Sequence, residues 1–208
     1  MPLIYQHQIN DSTKVGVWHI IEHESFFAEK VQLHQKINHP HKRLQHLAGR
    51  YLLTQLFLEF PLVDIKISTT KKPYLKDNTF HFSISHCGNY AAAIISTKNC
   101  VGVDVETPQQ KITLIQHKFL SRQELLILKN YEANEVQKIT MAWSTKEAIF
   151  KWYGLGEVDF KKHIIIKNLQ KEQEFCIIHC LFTKHTLTNL QVYNCTIANT
   201  NLAWVITP

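Results

Sequence analysis

The sequence predicts an α+β protein in which a group of strands with its helices occurs twice. Strand-like runs follow one another without the alternating strand–helix period that indicates a parallel sheet. Two longer stretches, 41–60 and 134–153, instead carry apolar residues at helical spacing. They lie on either side of a break near residues 106–110. We therefore expect two similar halves, 1–107 and 108–208, each a small, mainly antiparallel sheet packed with helices.

Composition limits the class of protein. Of the 208 residues 45% are hydrophobic, which is typical of a folded globular chain. The net charge of +6 favours an anionic partner, such as a phosphate-bearing cofactor, an acidic protein or nucleic acid. The five cysteines form no disulfide framework, and no run approaches the roughly 18 apolar residues of a membrane span. We expect a cytoplasmic protein with reduced thiols and no membrane partner.

The first half contains two strand patterns, then one shorter and one long helical pattern, and then four more strand patterns. Strands are predicted at 2–9 and 14–21, and a helix runs from about 25 to 37. Pro40 is placed near the start of the helix at 41–60. Four further strands are predicted at 63–68, 79–85, 90–96 and 100–106, with a turn at 85–89.

In the second half, helices come first and strands follow. Ser121 and Glu124 have the spacing of a capping box, and Gly154 ends the helix at 134–153. Strands are predicted at 164–166, 174–182, 190–197 and 202–206. Cys176, His179 and Cys180 lie in the second of these strands, and we interpret them as strand residues rather than zinc ligands.

The run Gly102–Glu106 carries two carboxylates two residues apart. On a strand, Asp104 and Glu106 point to one face while Val103 and Val105 point into a core. Neighbouring acids repel unless a cation lies between them or one holds a proton. Mg²⁺ fits this requirement because it takes oxygen ligands. The alternative is a strand whose exposed face is acidic.

Two helices add charged groups that have both a functional and an ordinary interpretation. Glu147 and Lys151 are four residues apart on one helix face, a spacing that is also common on exposed helices. Arg43 and Arg50 share the basic face of the earlier helix. Two aligned guanidinium groups suit a phosphate, although the same face could simply be solvated.

Four ordered motifs resemble those of the 4'-phosphopantetheinyl transferases. They are Lys72-Pro73-Tyr74, Phe82–Gly88 with Ser85 and His86, Gly102–Glu106, and Trp143–Lys151. Phe119–Glu124 and the arginine-bearing helix are also similar, so the resemblance covers roughly residues 40–156. Two departures are Cys87, where the family often has a hydroxyl residue, and a turn at 154–157 that lacks the usual basic residues.

The resemblance implies a particular class within this family. A chain of 208 residues resembles the longer, surfactin-synthetase-activating type, which is a monomer built as a pseudo-twofold arrangement of two similar α+β halves. The active site is then expected in the cleft between the halves. Asp104 and Glu106 would come from the first half, and Glu147 and Lys151 from the second.

The resemblance also implies an activity. It is Mg²⁺-dependent transfer of the phosphopantetheine arm of coenzyme A to a serine of an apo acyl or peptidyl carrier protein, with release of 3',5'-ADP. Asp104, Glu106 and Glu147 would hold Mg²⁺, for which Mn²⁺ could substitute, and Glu147 and Lys151 would be catalytic. Residues implied for coenzyme A binding are Arg43, Arg50, Lys72, Ser85 and His86.

Two other functions are compatible with parts of the pattern. An inactive relative could bind coenzyme A or a carrier protein, but none of the expected acids is missing. A Mg²⁺-dependent nuclease would also use clustered acids and a basic chain. The lysine expected two residues after a strand acid in compact nucleases is absent, because Thr107 and Pro108 follow Glu106. The sequence has no basic stripe with interleaved aromatic residues, which is the pattern that would indicate nucleic-acid binding.

Overall fold

The computed structural model describes residues 2–33 and 36–208 and confirms the α+β class. Its first sheet has four antiparallel strands in the order β1-β2-β6-β5. The strands are β1 (Leu3–Asn10), β2 (Thr13–His19), β5 (His81–Cys87) and β6 (Tyr90–Ser96). The first two predicted strands and the strand at 90–96 are thus confirmed. The predicted strand at 79–85 corresponds to β5, but His86 and Cys87, expected in a turn, continue this strand.

The segments around this sheet are helical or short. They are α1 (Glu24–Ala28), α2 (Pro40–Leu56), a turn of 3-10 helix at Leu62–Asp64, β3 (Lys66–Ile67) and β4 (Pro73–Tyr74). The helix predicted at 25–37 was wrong in length, because α1 ends at Ala28, and residues 34 and 35 lie outside the described residues. Val31 and Leu33 contact the same core from an irregular segment, so apolar spacing could not mark the helix end.

The second sheet has five antiparallel strands in the order β7-β11-β10-β9-β8. They are β7 (Cys100–Glu106), β8 (Ile164–Lys171), β9 (Cys176–Phe182), β10 (Thr188–Ile197) and β11 (Thr200–Thr207). Four helices accompany it: α3 (Lys111–Phe119), α4 (Arg122–Lys129), α5 (Glu135–Tyr153) and α6 (Phe160–His163). Both predicted ends of α5 are confirmed, with Asn134 as N-cap and left-handed Gly154 (φ 71°) as C-cap.

The acid-pair strand belongs to the second sheet, whereas we expected it in the first half. β7 pairs with β11 along its whole length, from Thr207 opposite Cys100 to Asn201 opposite Glu106. β5 and β7 belong to different sheets and share no backbone ladder. They contact each other through side chains of β5, such as Ser83 and Ser85. Backbone pairing shows which sheet a strand belongs to, but it does not locate a domain boundary. The division at residue 107 therefore stays a prediction.

Three apolar clusters hold these layers together. One lies between the first sheet and α2, and one lies between the second sheet and α5 with its neighbouring helices. The third lies between the two sheets, where Val15 and Ile94 of the first meet Val103 and Val105 of the second. The predicted burial of these two β7 valines is confirmed, since both are fully buried.

Two expectations about special residues can be compared with the fold. Cys176 and Cys180 are buried on one side of β9, and His179 lies between them in the strand. No group of three or more His, Cys, Asp or Glu that could hold a metal occurs in residues 2–33 and 36–208. None of the helices in these ranges is long and apolar enough to cross a membrane.

Gly102 sets the distance between β7 and α5. A Cβ at this position would overlap the carbonyl oxygen of Ala148 and lie 2.6 Å from the backbone nitrogen of Trp152. Both contacts are to backbone atoms of α5, which cannot move like a flexible side chain. Glycine therefore lets the helix lie directly against the strand.

Gly102→Ala should therefore destabilise the protein by about 1–3 kcal/mol, which is typical of overpacking in a core. The measurement is the free energy of unfolding in urea. Cys100→Ala, an exposed change in the same strand, is the matched control and should fall within about 0.5 kcal/mol of the parent. Equal stability of all three proteins would contradict the close approach of α5.

Candidate active site

The centre of the site is a hydrogen-bonded cluster of three side chains from three elements. Asp104 of β7 is only 2% exposed. Its Oδ1 accepts a hydrogen bond of 2.8 Å from Ser85 Oγ of β5 and one of 2.6 Å from Lys151 Nζ of α5. Lys151 Nζ also donates to Ser85 Oγ at 2.7 Å. The structure thus brings together residues that are 66 apart in the chain.

One oxygen of this cluster has no partner. Asp104 Oδ2 is buried and accepts no hydrogen bond from any residue in the described part of the chain. Leaving a buried acceptor unsatisfied costs roughly 1–3 kcal/mol. A native fold that keeps this cost at a charged group indicates a ligand for that oxygen.

Glu106 and Glu147 lie close enough to Asp104 for its negative charge to affect their pKa values. Burial and, to a smaller extent, the charge of Asp104 raise the pKa of Glu147 to about 7, while Lys151 opposes the rise. Burial and Asp104 likewise raise the pKa of Glu106. One ammonium therefore does not compensate three carboxyl groups.

The carboxyl groups fit a hard divalent cation in chemistry, although the described residues hold no preformed metal cage. Asp104 offers a free, buried oxygen, and the two glutamates have raised pKa values that a nearby cation would lower. The other oxygen of Asp104, Oδ1, already accepts a hydrogen bond from Lys151 Nζ. Binding a cation would thus require this ammonium or the glutamates to adjust.

A cationic cavity lies on the other side of β5. Successive strand residues face opposite ways, so Ser85 points to Asp104 and His86 points to α2. The cavity has a volume of about 460 Å³, and His46, Arg50, Lys71 and His86 are its titratable lining residues in the described part of the chain. Burial, with smaller contributions from His46 and Lys151, lowers the pKa of His86 to about 4. His86 is therefore neutral at pH 7.

Arg43 and Lys72 are not in this cavity. Arg43 Nε donates to Glu24 Oε1 at 2.6 Å, and its Nη1 donates to the Ile37 carbonyl at 2.9 Å. Lys72 Nζ donates to the Trp152 carbonyl at the end of α5, at 3.0 Å. Arg43 and Arg50 share a helix face as expected, but α1 binds the first of them. Ligand binding by Arg43 and Lys72 stays a prediction.

Sequence reasoning missed the residue that anchors α5. Lys146 is fully buried, and its Nζ donates to Glu124 Oε1 at 2.6 Å. It also donates to three backbone carbonyls, those of Phe119, Phe160 and Ile164. Glu124 is the capping-box residue of α4 as predicted, and its second role has no local sequence signal. This pair holds α5 one residue before Glu147.

One family model and two named relatives match the sequence of this chain. The family model of the 4'-phosphopantetheinyl transferase superfamily matches residues 100–202, from β7 to β11. A provisionally named 4'-phosphopantetheinyl transferase of Haemophilus influenzae is 25% identical over 149 residues, 68% of this chain and 61% of that protein. Enterobactin synthase component D of Salmonella typhi is 31% identical over 113 residues, 53% of this chain and 47% of that protein.

These matches show that the chain belongs to the 4'-phosphopantetheinyl transferase superfamily. The family resemblance expected from the motifs is thus confirmed. The chain spans less than two thirds of the length of either relative.

Lys146→Met should destabilise the protein by about 3–5 kcal/mol, because it leaves Glu124 buried without its counter-charge. The measurement is chemical unfolding at pH 7. Adding Glu124→Leu should recover part of the loss, since the double variant buries no charge. A single variant as stable as the parent would show that the pair does not anchor α5. Lys138→Met, at a less buried position of α5, is the matched control.

Proposed function

We propose that the protein transfers the 4'-phosphopantetheine arm of coenzyme A to a serine of an apo acyl or peptidyl carrier protein and releases 3',5'-ADP. The single observation that carries the proposal is the cluster of Lys151, Asp104 and Ser85 with Glu147 beside it. Membership of the superfamily supports the reaction type. The relatives are named for a phosphopantetheinyl transferase and for a component of enterobactin synthase.

Binding of coenzyme A is assigned to the cationic cavity. Arg50, Lys71 and His86 present nitrogen donors around it, and no carboxylate lines it among the described residues. Phosphate groups favour such a setting because guanidinium and ammonium groups make short, charge-assisted hydrogen bonds to them. Ser85, the neighbour of His86 in β5, would link the coenzyme A cavity to the acid cluster through its hydrogen bond to Asp104.

Asp104, Glu106 and Glu147 would hold Mg²⁺, with Mn²⁺ as a substitute of the same ligand preference. When bound, the cation would neutralise the pyrophosphate and polarise its oxygens. The support is the free Oδ2 of Asp104 and the uncompensated charge of the two glutamates.

Proton transfer is assigned to Glu147. The serine oxygen of the carrier attacks the phosphorus that bears the pantetheine arm, and the bridging P–O bond to 3',5'-ADP breaks. The serine proton passes to the Glu147 carboxylate, directly or through a water. Because its pKa is about 7, this group can accept a proton near neutral pH and release it again.

Lys151 is assigned to the developing negative charge. Its side chain is three-quarters buried, and its Nζ already donates to two oxygens of the cluster. An ammonium at this position stabilises charge on the phosphate oxygens in a partly desolvated site. The same ammonium is our candidate for protonating the departing ADP oxygen.

The partner and setting complete the proposal. Carrier proteins are acidic as a class, and the excess of Lys and Arg would attract them. The five cysteines are free thiols, which supports a reducing, cytoplasmic compartment. We include a monomeric state of the longer family class in the proposal, on the basis of its two packed sheets.

The test is incubation of the protein with coenzyme A, Mg²⁺ and a panel of apo carrier proteins, followed by mass spectrometry of each carrier. We expect addition of the phosphopantetheine mass to at least one of them. A carrier whose acceptor serine is replaced by alanine is the substrate control. A folded protein that modifies no carrier would leave the proposal without support and refute the activity for that panel.

Asp104→Asn, Glu147→Gln and Lys151→Met should each lower the transfer rate by at least about 100-fold, as loss of a charge-stabilising group does in other enzymes. Glu135→Gln is the matched control, because Glu135 is exposed at the start of the same helix. A site variant that keeps the full rate would be removed from the mechanism.

A further inference from the structure

We propose that His46 and His86 form a proton-accepting pair that takes up a proton when a phosphate group of coenzyme A enters the cationic cavity. This inference rests on the proposed function, and it adds His46 as a binding residue. It predicts that phosphate affinity falls as pH rises.

The two rings are neighbours across the contact between α2 and β5. Their centroids are 5.1 Å apart, with an angle of 57° between the ring planes. Gly49 lets the helix approach, since a Cβ there would lie 2.6 Å from Ile84 Cγ2 of β5. Both imidazoles line the same cavity. A single anion in the cavity can therefore contact both.

The groups around the pair are basic. From α2 they are Lys42 and Arg50, and from the segment before β4 the cavity is lined by Lys71. His86 also senses Lys151 of α5 and Asp104 of β7 at longer range. Among the described residues the cavity wall contains no carboxylate.

Burial and the surrounding basic groups keep both imidazole rings uncharged while the cavity holds no ligand. Burial lowers the pKa of His46, and Arg50 and Lys42 lower it further. The pKa of His86 is lowered to about 4. Charging either ring would add a third cation beside Arg50 and Lys71. The pair thus avoids repulsion until a negative ligand is present.

A phosphate dianion reverses this balance. Its charge favours the protonated imidazole, so the pKa of the nearer histidine rises on binding. The complex then binds more protons than the free protein, and linkage requires that binding weakens as pH rises. One linked proton changes the dissociation constant by at most about tenfold per pH unit.

The experiment is isothermal titration calorimetry with 3',5'-ADP as probe, on the full chain at pH 7 in buffers of different ionisation enthalpy. The slope of observed enthalpy against buffer enthalpy gives the number of protons exchanged. We expect net uptake by the parent protein and a dissociation constant that increases severalfold from pH 6.5 to pH 8.

Substitution of His46 tests whether this residue takes up the proton. His46→Gln keeps a hydrogen-bonding side chain but cannot titrate, so it should take up fewer protons and show a flatter pH dependence. His117→Gln, an exposed change on α3, is the matched control and should behave like the parent. Undiminished uptake by folded His46→Gln would overturn the role of His46. If that variant does not fold, absence of uptake by the parent overturns the inference on its own.

The result separates this inference from the proposed function. Proton-linked binding without transfer to any carrier would keep the inference and remove the activity. Transfer to a carrier with binding that exchanges no protons would keep the activity and overturn the inference.

Discussion

The side-chain bridge between β5 and β7 is the interaction on which the candidate site depends. Ser83 Oγ accepts from the Val103 nitrogen at 3.2 Å, and Ser85 Oγ donates to Asp104. Cys87 Sγ accepts from the Thr107 nitrogen at 3.5 Å. These residues alternate along β5 and therefore share a face. They hold two sheet edges one side chain apart, which leaves Asp104 accessible to α5.

The same strand separates two opposite electrostatic environments. Ser85 faces the carboxyl groups, where burial and then the charge of Asp104 raise the pKa values of Glu106 and Glu147. His86, the next residue, faces a cavity lined by Arg50 and Lys71, and burial together with His46 lowers its pKa so that it stays neutral. Each environment is destabilised by its own excess charge, and each would be stabilised by a ligand of the opposite sign. Under the proposed function, a phosphate ester and a divalent cation together would satisfy both.

Local sequence patterns predicted the elements well and their partners poorly. The strands at 90–96 and 100–106 and the caps of α5 follow from alternation and capping residues. Spacing cannot reveal that β7 pairs with β11, because the two are separated by most of the second half. The partners of Arg43 and Lys146 were missed for the same reason. Their carboxylates, 19 and 22 residues away, lie on other helices.

Lys146 and Lys151, two of the lysines of α5, show that the position of a residue, and not its type, decides its chemical role. They are five residues apart and so project about 140° apart around the helix. Lys146 Nζ has four acceptors and no exposed surface, so it can neither reach a ligand nor lose its partner without cost. Lys151 keeps a quarter of its surface and shares an aspartate whose second oxygen is free. The first fixes the helix, and this rigidity lets the second hold its place beside Glu147.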